Sequence, residues 1–187
     1  MKLNTPGARA SAALACLFSA LCCAGAYISV SIPIGPVPLA LTNLFAVLGG
    51  LLLGPIWGAV SAVAYLAIGA LGFPVFSGGR GGFAHLIGPT AGYLFGYAFA
   101  SFVAGFVARK RGWAVSALGS ALGFAIILVL GAIGLKVITG IPWEKSLAAG
   151  VLPFLPGDIL KAILATLICR RLGPFVDTLT GRENARA

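Results

Sequence analysis

Six long apolar stretches dominate this sequence of 187 residues and restrict its fold more than any other feature. Each is close to the ~20 residues that a helix needs to cross a hydrocarbon core of about 30 Å. Apolar residues make up 59% of the chain and charged residues only 9%, against roughly 25% charged in soluble domains. The sequence therefore predicts an all-α, polytopic membrane protein. We expect a bundle of six transmembrane helices that forms a single integral membrane domain over residues 1–187, with spans at about 8–30, 39–53, 56–71, 89–108, 113–138 and 157–169.

Small residues indicate where one apolar run is divided into two helices and where helices of the bundle pack closely. Gly54 and Pro55 interrupt an otherwise continuous apolar run, and this turn signal predicts that the second and third spans are separate helices. The fourth span carries a stripe of small residues spaced four apart: Gly88, Gly92, Gly96, Ala100 and Ala104. Such stripes let helix backbones approach closely, so this one predicts tight packing within the bundle.

The basic residues predict the orientation of the bundle. An even number of spans places both termini on one side, where nine basic residues fall, whereas only Arg80 and Lys145 fall in loops on the other side. This asymmetry predicts cytoplasmic termini and a multi-pass protein of the bacterial inner membrane. The net charge of +9 is then an orientation signal and does not indicate nucleic-acid binding. The nine residues are Lys2, Arg9, Arg109, Lys110, Arg111, Arg170, Arg171, Arg182 and Arg186.

The N-terminus also resembles a secretory signal. Lys2 and Arg9 precede an apolar run, and residues 24–26 (Ala-Gly-Ala) match a small-residue cleavage pattern. We expect this stretch to remain attached as the first span, because the apolar run continues to Val30 and no exported domain follows it.

Two charged side chains lie inside the last predicted span, where a charge is costly and is by default a candidate for function. Asp158 and Lys161 are three residues apart and therefore share one face of a helix, near its outward end. One interpretation is an ion pair that lets a short helix tolerate both charges. The other is that Asp158, favoured by the positive N-terminus of the helix, accepts hydrogen bonds from N–H groups of a ligand.

A glycine-rich loop around a single arginine precedes the fourth span. Residues 77–82 read Ser-Gly-Gly-Arg-Gly-Gly, and glycines such as Gly79 and Gly81 allow a backbone to approach a ligand closely. The Arg80 guanidinium offers a planar fork of donors to a carboxylate. The alternative is a flexible outer loop with one stray charge.

Further residues complete a candidate cavity on the outer side. Tyr93 lies one turn into the fourth span, and Asn43 either faces the same cavity or serves helix packing. The proline-rich segment 32–38 is either a lid over the cavity mouth or a stiff turn. An apolar cavity with an anion-binding Arg80, an acceptor Asp158 and an aromatic wall suits a small amphipathic acid.

The first span has a small-residue stripe of its own: Ala12, Cys16, Ala20 and Ala24. If the other helices already satisfy one another, this face is free to meet a separate membrane protein. The alternative is that an Ala-rich helix shows such a stripe by chance.

The order of these motifs resembles the BioY family, the substrate-binding membrane subunits (S components) of energy-coupling factor (ECF) transporters for biotin. The resemblance rests on Gly-Gly-Arg-Gly-Gly at 78–82, Gly-Pro-Thr-Ala-Gly-Tyr at 88–93, Pro-Gly-Asp at 156–158 with Lys161, and the proline-rich segment 34–38. Any one of these motifs is unspecific, but together they extend from the first loop to the sixth helix. The family usually has a second Gly where this chain has Ala91.

The resemblance implies a six-helix bundle that captures biotin from outside, in a pocket near the outer surface, with no chemistry and no cofactor of its own. It places Arg80 at the valerate carboxylate and Asp158 at the ureido N–H groups. The remaining binding candidates are Lys161, Tyr93, Asn43, Gly79 and Gly81.

The resemblance also implies partners. Family members typically work with a transmembrane coupling (T) protein and a pair of ATPases, and the stripe of the first helix would meet the coupling protein. The chain has no Gly-Lys-Ser/Thr sequence of a Walker A motif, so any ATP use falls to a partner. The alternatives are an S component for a different small carboxylate vitamin and a biotin transporter that works alone. Membrane lipid and a second copy of the chain are further candidate partners.

An intramembrane enzyme is the alternative from another class. A serine hydrolase would need Ser77 and His85, which both fall in the outer loop without a GxSxG motif. An aspartyl protease needs two carboxylates in the membrane, and Asp158 is alone in the predicted spans. A channel or a purely structural subunit needs neither an Arg nor an Asp at an outer cavity. We therefore expect no catalytic residue, no metal site and no enzymatic activity.

Overall fold

The computed structural model describes residues 6–30, 39–110 and 112–182. In these ranges the chain forms six α-helices: α1 Pro6–Tyr27, α2 Thr42–Ala70, α3 Ala91–Val107, α4 Trp113–Thr139, α5 Trp143–Gly150 and α6 Leu155–Thr180. A short antiparallel pair joins β1 Ser29–Val30 to β2 Leu39–Ala40, and a 3-10 turn covers Phe83–Leu86. The described part of the chain is therefore all-α apart from one two-residue ribbon.

Helix α2 is a hairpin of two helices. Gly54 has φ 78° and ψ −179°, a conformation that is open to glycine, and Pro55 starts the next helix. A Cβ added to Gly58 would lie only 2.5 Å from the Cα of Gly50, whereas eight residues of straight helix span about 12 Å. The halves 42–53 and 55–70 therefore run antiparallel, and the predicted break at Gly54 and Pro55 is confirmed.

This hairpin explains how the chain crosses the bundle six times. By length and composition, α1, α2 and α4 can each cross a membrane, and α5 with α6 form a fourth candidate that is bent by 51°. Because α2 folds back at Gly54, its two antiparallel halves count as two passes, and together with α1, the shorter apolar helix α3, α4 and α6 they give six. A Cβ on Gly7 would touch the Thr180 carbonyl, so the start of α1 and the end of α6 lie at the same end. That end is the one predicted to be cytoplasmic.

Helices α3 and α4 meet along the predicted stripe of small residues. A Cβ on Gly92 would contact the Leu130 carbonyl, and one on Gly96 would lie 3.2 Å from the Cα of Ile127. Further along the stripe, Ala100 and Ala104 are fully buried. The stripe packs as predicted, except that Gly88 lies before the start of α3.

Two helix boundaries correct the predicted spans. The first helix ends at Tyr27, because residues 29–30 join the ribbon. The last helix continues from Leu155 to Thr180, well past Cys169, so that Arg170 and Arg171 lie within α6 and not in a loop. Its C-terminal part is anchored by a buried face that includes Val176 and Thr180, while apolar side chains such as Leu172 and Phe175 stay exposed.

Helix α5 and the proline-rich segment 32–38 are the remaining parts of the predicted outer side. Helix α5 is not among the predicted spans, since it is too short and too polar to cross a membrane. Its Trp143 ring receives the Lys136 ammonium at 4.4 Å, which ties it to the end of α4. The proposed lid at 32–38 lies outside the described residues.

Replacing Gly92 with Ala is expected to lower the melting temperature of the purified protein in detergent. The added methyl group would press against the Leu130 carbonyl, and overpacking of this kind costs about 1–3 kcal/mol. Gly88→Ala is the matched control, because the nearest atom to its new methyl group is the Ala84 carbonyl oxygen at 3.4 Å. Equal melting temperatures for the two variants would contradict the tight α3–α4 contact.

Candidate functional site

Three of the predicted binding residues lie in the first turns of three helices. Asn43 opens α2, Tyr93 opens α3 and Asp158 opens α6. These helices all start at the end of the bundle opposite the termini, because α3, α6 and the first half of α2 run towards the end where α1 begins. The fold thus gathers side chains from distant parts of the sequence at the predicted outer end.

Asp158 is the central residue of this group and is only 3% exposed. Its Oδ1 accepts a hydrogen bond from Asn43 Nδ2 at 2.9 Å. The same oxygen forms an ion pair with Lys161 Nζ at 3.2 Å. Its position in the first turn of α6 also places the negative charge at the positive end of the helix dipole. The ion pair expected from the three-residue spacing is therefore present, and Asn43 joins it.

Lys161 ties this group to the connection between α1 and α2. Its Nζ donates to the Asn43 Oδ1 at 3.1 Å and to the backbone carbonyl of Ala40 at 3.0 Å, in addition to Asp158. An ammonium has three donors, and all three are used here. Lys161 thus holds Asn43, Asp158 and the end of β2 in one arrangement.

The second carboxylate oxygen of Asp158 is different. Oδ2 is buried and has no hydrogen-bond partner among the described residues. Buried polar atoms are nearly always paired, so an unpaired one requires an explanation. An ionised carboxylate only accepts hydrogen bonds, so Oδ2 is a free acceptor for an N–H or O–H group.

A small cavity adjoins this carboxylate. Its walls include Asn43, Tyr93, Tyr97, Ile127, Phe154 and Asp158. The cavity measures about 20 Å³, which is room for roughly one water molecule. A larger ligand therefore enters only if these walls move.

Tyr93 contributes its ring and not its hydroxyl. The hydroxyl donates to the Gly150 carbonyl at 2.6 Å, which fixes the side chain against α5. The ring centroid lies 5.9 Å from that of Phe154, and the ring lines the cavity.

Sequence analysis missed two aromatic residues of the cavity wall. Tyr97 follows Tyr93 by four residues, and Phe154 precedes Asp158 by four. Residues at this spacing share a helix face or a first turn, so the i, i+4 rule applied to Tyr93 and Asp158 identifies both.

The glycine-rich loop has the backbone geometry that its composition predicted. Gly78, Gly79 and Gly82 have φ of 80°, 70° and 99°, in the region that favours glycine. Phe76 and Arg80 close the turn through two backbone hydrogen bonds of 2.8 and 3.2 Å. Gly81 has a different role, since a Cβ there would strike the backbone carbonyl of Phe73.

The loop lies beside the cavity wall without entering it. Arg80 is exposed and is not part of the lining, and Gly79 has open space around its Cα. Phe76 is buried and its ring lies 5.6 Å from Tyr65, which in turn lies 6.3 Å from Tyr97. The structure therefore brings Asp158, Lys161, Asn43 and Tyr93 together. It leaves Arg80, Gly79 and Gly81 outside the cavity, behind the rings of Phe76 and Tyr65.

The small-residue stripe of α1 faces away from the bundle. Ala12 is half-buried, and Cys16, Ala20 and Ala24 are exposed. The buried face of α1 is formed by other residues: Ser11, Ala15, Phe18, Ser19, Cys22, Gly25 and Ala26. The stripe is thus available to another protein.

Comparison with known proteins places this geometry in one family. The sequence profile of the BioY family matches residues 2–178. A probable biotin transporter BioY of Pyrococcus horikoshii is 45% identical over 159 residues, which cover 85% of this chain and 93% of that protein. The biotin transporter BioY of Thermotoga maritima is 39% identical over 157 residues, covering 83% and 91% of the two chains.

A solved structure agrees with these relatives. The crystal structure of an S component for biotin from an ECF-type ABC transporter superposes with a TM-score of 0.81 at 34% identity. The match covers 87% of this chain and 89% of the other. Sequence and fold lead to the same assignment: this chain belongs to the BioY family of membrane transport proteins, and it is not an enzyme.

Proposed function

We propose that this chain binds biotin beside Asp158 and carries it across the membrane as the substrate-specific S component of an ECF-type transporter. The observation that supports this most directly is the unpaired, buried Asp158 Oδ2 at the cavity wall. The ureido ring of biotin has two N–H donors, and one of them satisfies this oxygen. The names of the relatives and of the solved structure support biotin as the ligand.

The two carboxylate oxygens of Asp158 have different roles in this proposal. Oδ1 is held by Asn43 and Lys161, so the carboxylate keeps one orientation before the ligand arrives. Oδ2 then accepts from the ligand without a change in that network. The rings of Tyr97 and Phe154 offer apolar surface to the fused ring system of biotin.

Arg80 is the candidate for the valerate carboxylate. It is exposed at the predicted outer side, on a loop whose three positive-φ glycines have little around them. Biotin carries its carboxylate on a flexible chain, so the two polar ends of the ligand are bound by separate parts of the protein. A guanidinium binds a carboxylate through two parallel hydrogen bonds.

Coupling to transport is assigned to α1. The exposed stripe Ala12, Cys16, Ala20 and Ala24 allows a second helix to approach closely. We assign this face to the transmembrane coupling protein of the ECF module, whose ATPases supply the energy. Biotin binding and module binding then lie on different surfaces and are separable by mutation.

Asp158→Asn is expected to weaken biotin binding strongly. The amide has a single neutral oxygen in place of the carboxylate, so the ligand N–H loses its charged acceptor, which costs about 2–5 kcal/mol at a buried binding contact. The dissociation constant, measured by calorimetric titration in detergent, should rise at least about 30-fold.

Glu144→Gln is the matched control for this test, because it removes an exposed carboxylate from α5 with the same change in charge. It should bind biotin like the parent protein. A monodisperse Asp158→Asn protein with parental affinity would overturn the assignment of Oδ2.

Arg80→Gln tests the other end of the ligand. This variant should bind biotin about tenfold more weakly, the value of one charge-assisted hydrogen bond. It should bind biotinamide, which has no carboxylate, as well as the parent protein does. Lys145→Gln, which removes the other basic residue of the predicted outer loops, is the control. An equal loss of affinity for both ligands would show that Arg80 does not bind the carboxylate.

Ala20→Trp is expected to abolish co-purification with the coupling protein and ATPases and to stop biotin uptake by cells. Biotin affinity of the isolated chain should stay unchanged, because Ala20 is exposed on α1 away from the cavity. Val129→Trp places the same bulk on an exposed position of another helix, α4, and should retain assembly and uptake. If both variants assemble normally, the coupling protein does not use this face.

A further inference from the structure

An open apolar groove runs between α4 and α6 on the outside of the bundle. It measures about 400 Å³, and Asp158, which also lines the small cavity, lies at its outer end. Three alanines spaced four apart, Ala117, Ala121 and Ala125, form its floor on α4. Side chains of α6, including Ile159, Ala162 and Ile163, form the facing wall. The groove is elongated along the helices because its lining follows both of them for several turns.

The end of this groove towards the termini carries a positive charge. Trp113 lines the groove there, and the guanidinium carbon of Arg170 lies 5.2 Å from the centre of its indole ring. Stacking on tryptophan holds an arginine in place while its N–H groups stay available. Arg170 is exposed, and no carboxylate among the described residues pairs with it.

We propose that this groove is a binding site for an anionic phospholipid, with one acyl chain lying between α4 and α6 and the phosphate on Arg170. The two parts of the site have the chemistry of such a lipid: an apolar channel that ends at a fixed, unneutralised guanidinium. Tryptophan at the membrane interface sets the depth of the headgroup. Arg109 and Lys110, just before α4, add to the positive potential at this end.

An anionic headgroup distinguishes this site from ordinary contact with bulk lipid. Basic pockets between helices on the cytoplasmic side of membrane proteins retain anionic headgroups. The basic residues of this end predict that it is the cytoplasmic one. A zwitterionic lipid offers Arg170 a phosphate already neutralised by its own ammonium, so it should bind less tightly.

The test is a lipid titration of the full chain in detergent, followed by native mass spectrometry. Phosphatidylglycerol and phosphatidylcholine with identical acyl chains are compared, and the first should be retained more strongly. Arg170→Gln should reduce the phosphatidylglycerol affinity about fivefold, the effect of one basic residue near an anionic surface. Arg171→Gln, which removes the neighbouring exposed charge without the stacking on Trp113, should leave it unchanged.

A second pair of variants tests the groove itself. Ala121→Phe fills the floor and should abolish retention of both lipids at this site, while Leu122→Phe, an exposed position outside the groove, should not. Equal effects of Arg170→Gln and Arg171→Gln would overturn the proposal. If inorganic phosphate competes with phosphatidylglycerol, the site binds simple anions and not a lipid. If the protein is a dimer that Ala121→Phe disrupts, the groove binds a second copy of the chain. Either result would contradict the proposal.

Discussion

Burying one carboxylate inside an apolar bundle is the constraint on which the rest of the outer end depends. A charge removed from water is costly unless its partners are close and well oriented. Asn43 and Lys161 meet this demand for Asp158, and Lys161 also binds the Ala40 carbonyl. The need to compensate one charge thus joins α6, α2 and the connection that precedes α2.

The hydrogen bonds that compensate the buried charge reach only one of the two oxygens of Asp158; Oδ2 has no partner among the described residues. A protein that needed Asp158 only for stability would be equally stable with an apolar residue of similar size, because a buried ion pair adds little net stability. Leaving Oδ2 buried and unpaired is a cost that binding can recover. The polar network and the unpaired oxygen together explain why a carboxylate is present at this position of an otherwise apolar helix.

Much of this arrangement is predictable because the relevant rules are local. Three-residue spacing pairs Asp158 with Lys161, and a Gly-Pro step separates the halves of α2. The contact of Asn43 with Asp158 joins residues 115 positions apart, so no local rule finds it. Arg80 is a second example. The glycine-rich composition predicts the conformation of its loop, but the position of the loop beside the cavity depends on the packing of Phe76 on Tyr65, which no local rule predicts. The full length of α6 is not predicted from apolar runs, because Arg170 and Arg171 interrupt the run although the helix continues through them.

The contact between the start of α1 and the end of α6, Gly7 against Thr180, has a consequence for the connectivity of the fold. A short linker between α6 and α1 would stay on one side of the membrane, and new ends between α3 and α4 would open on that same side. Such a circularly permuted chain keeps the direction of every helix, and proteins with adjacent ends commonly accept this change. The cyclic order of the helices, and not the point at which the chain starts, therefore specifies this bundle.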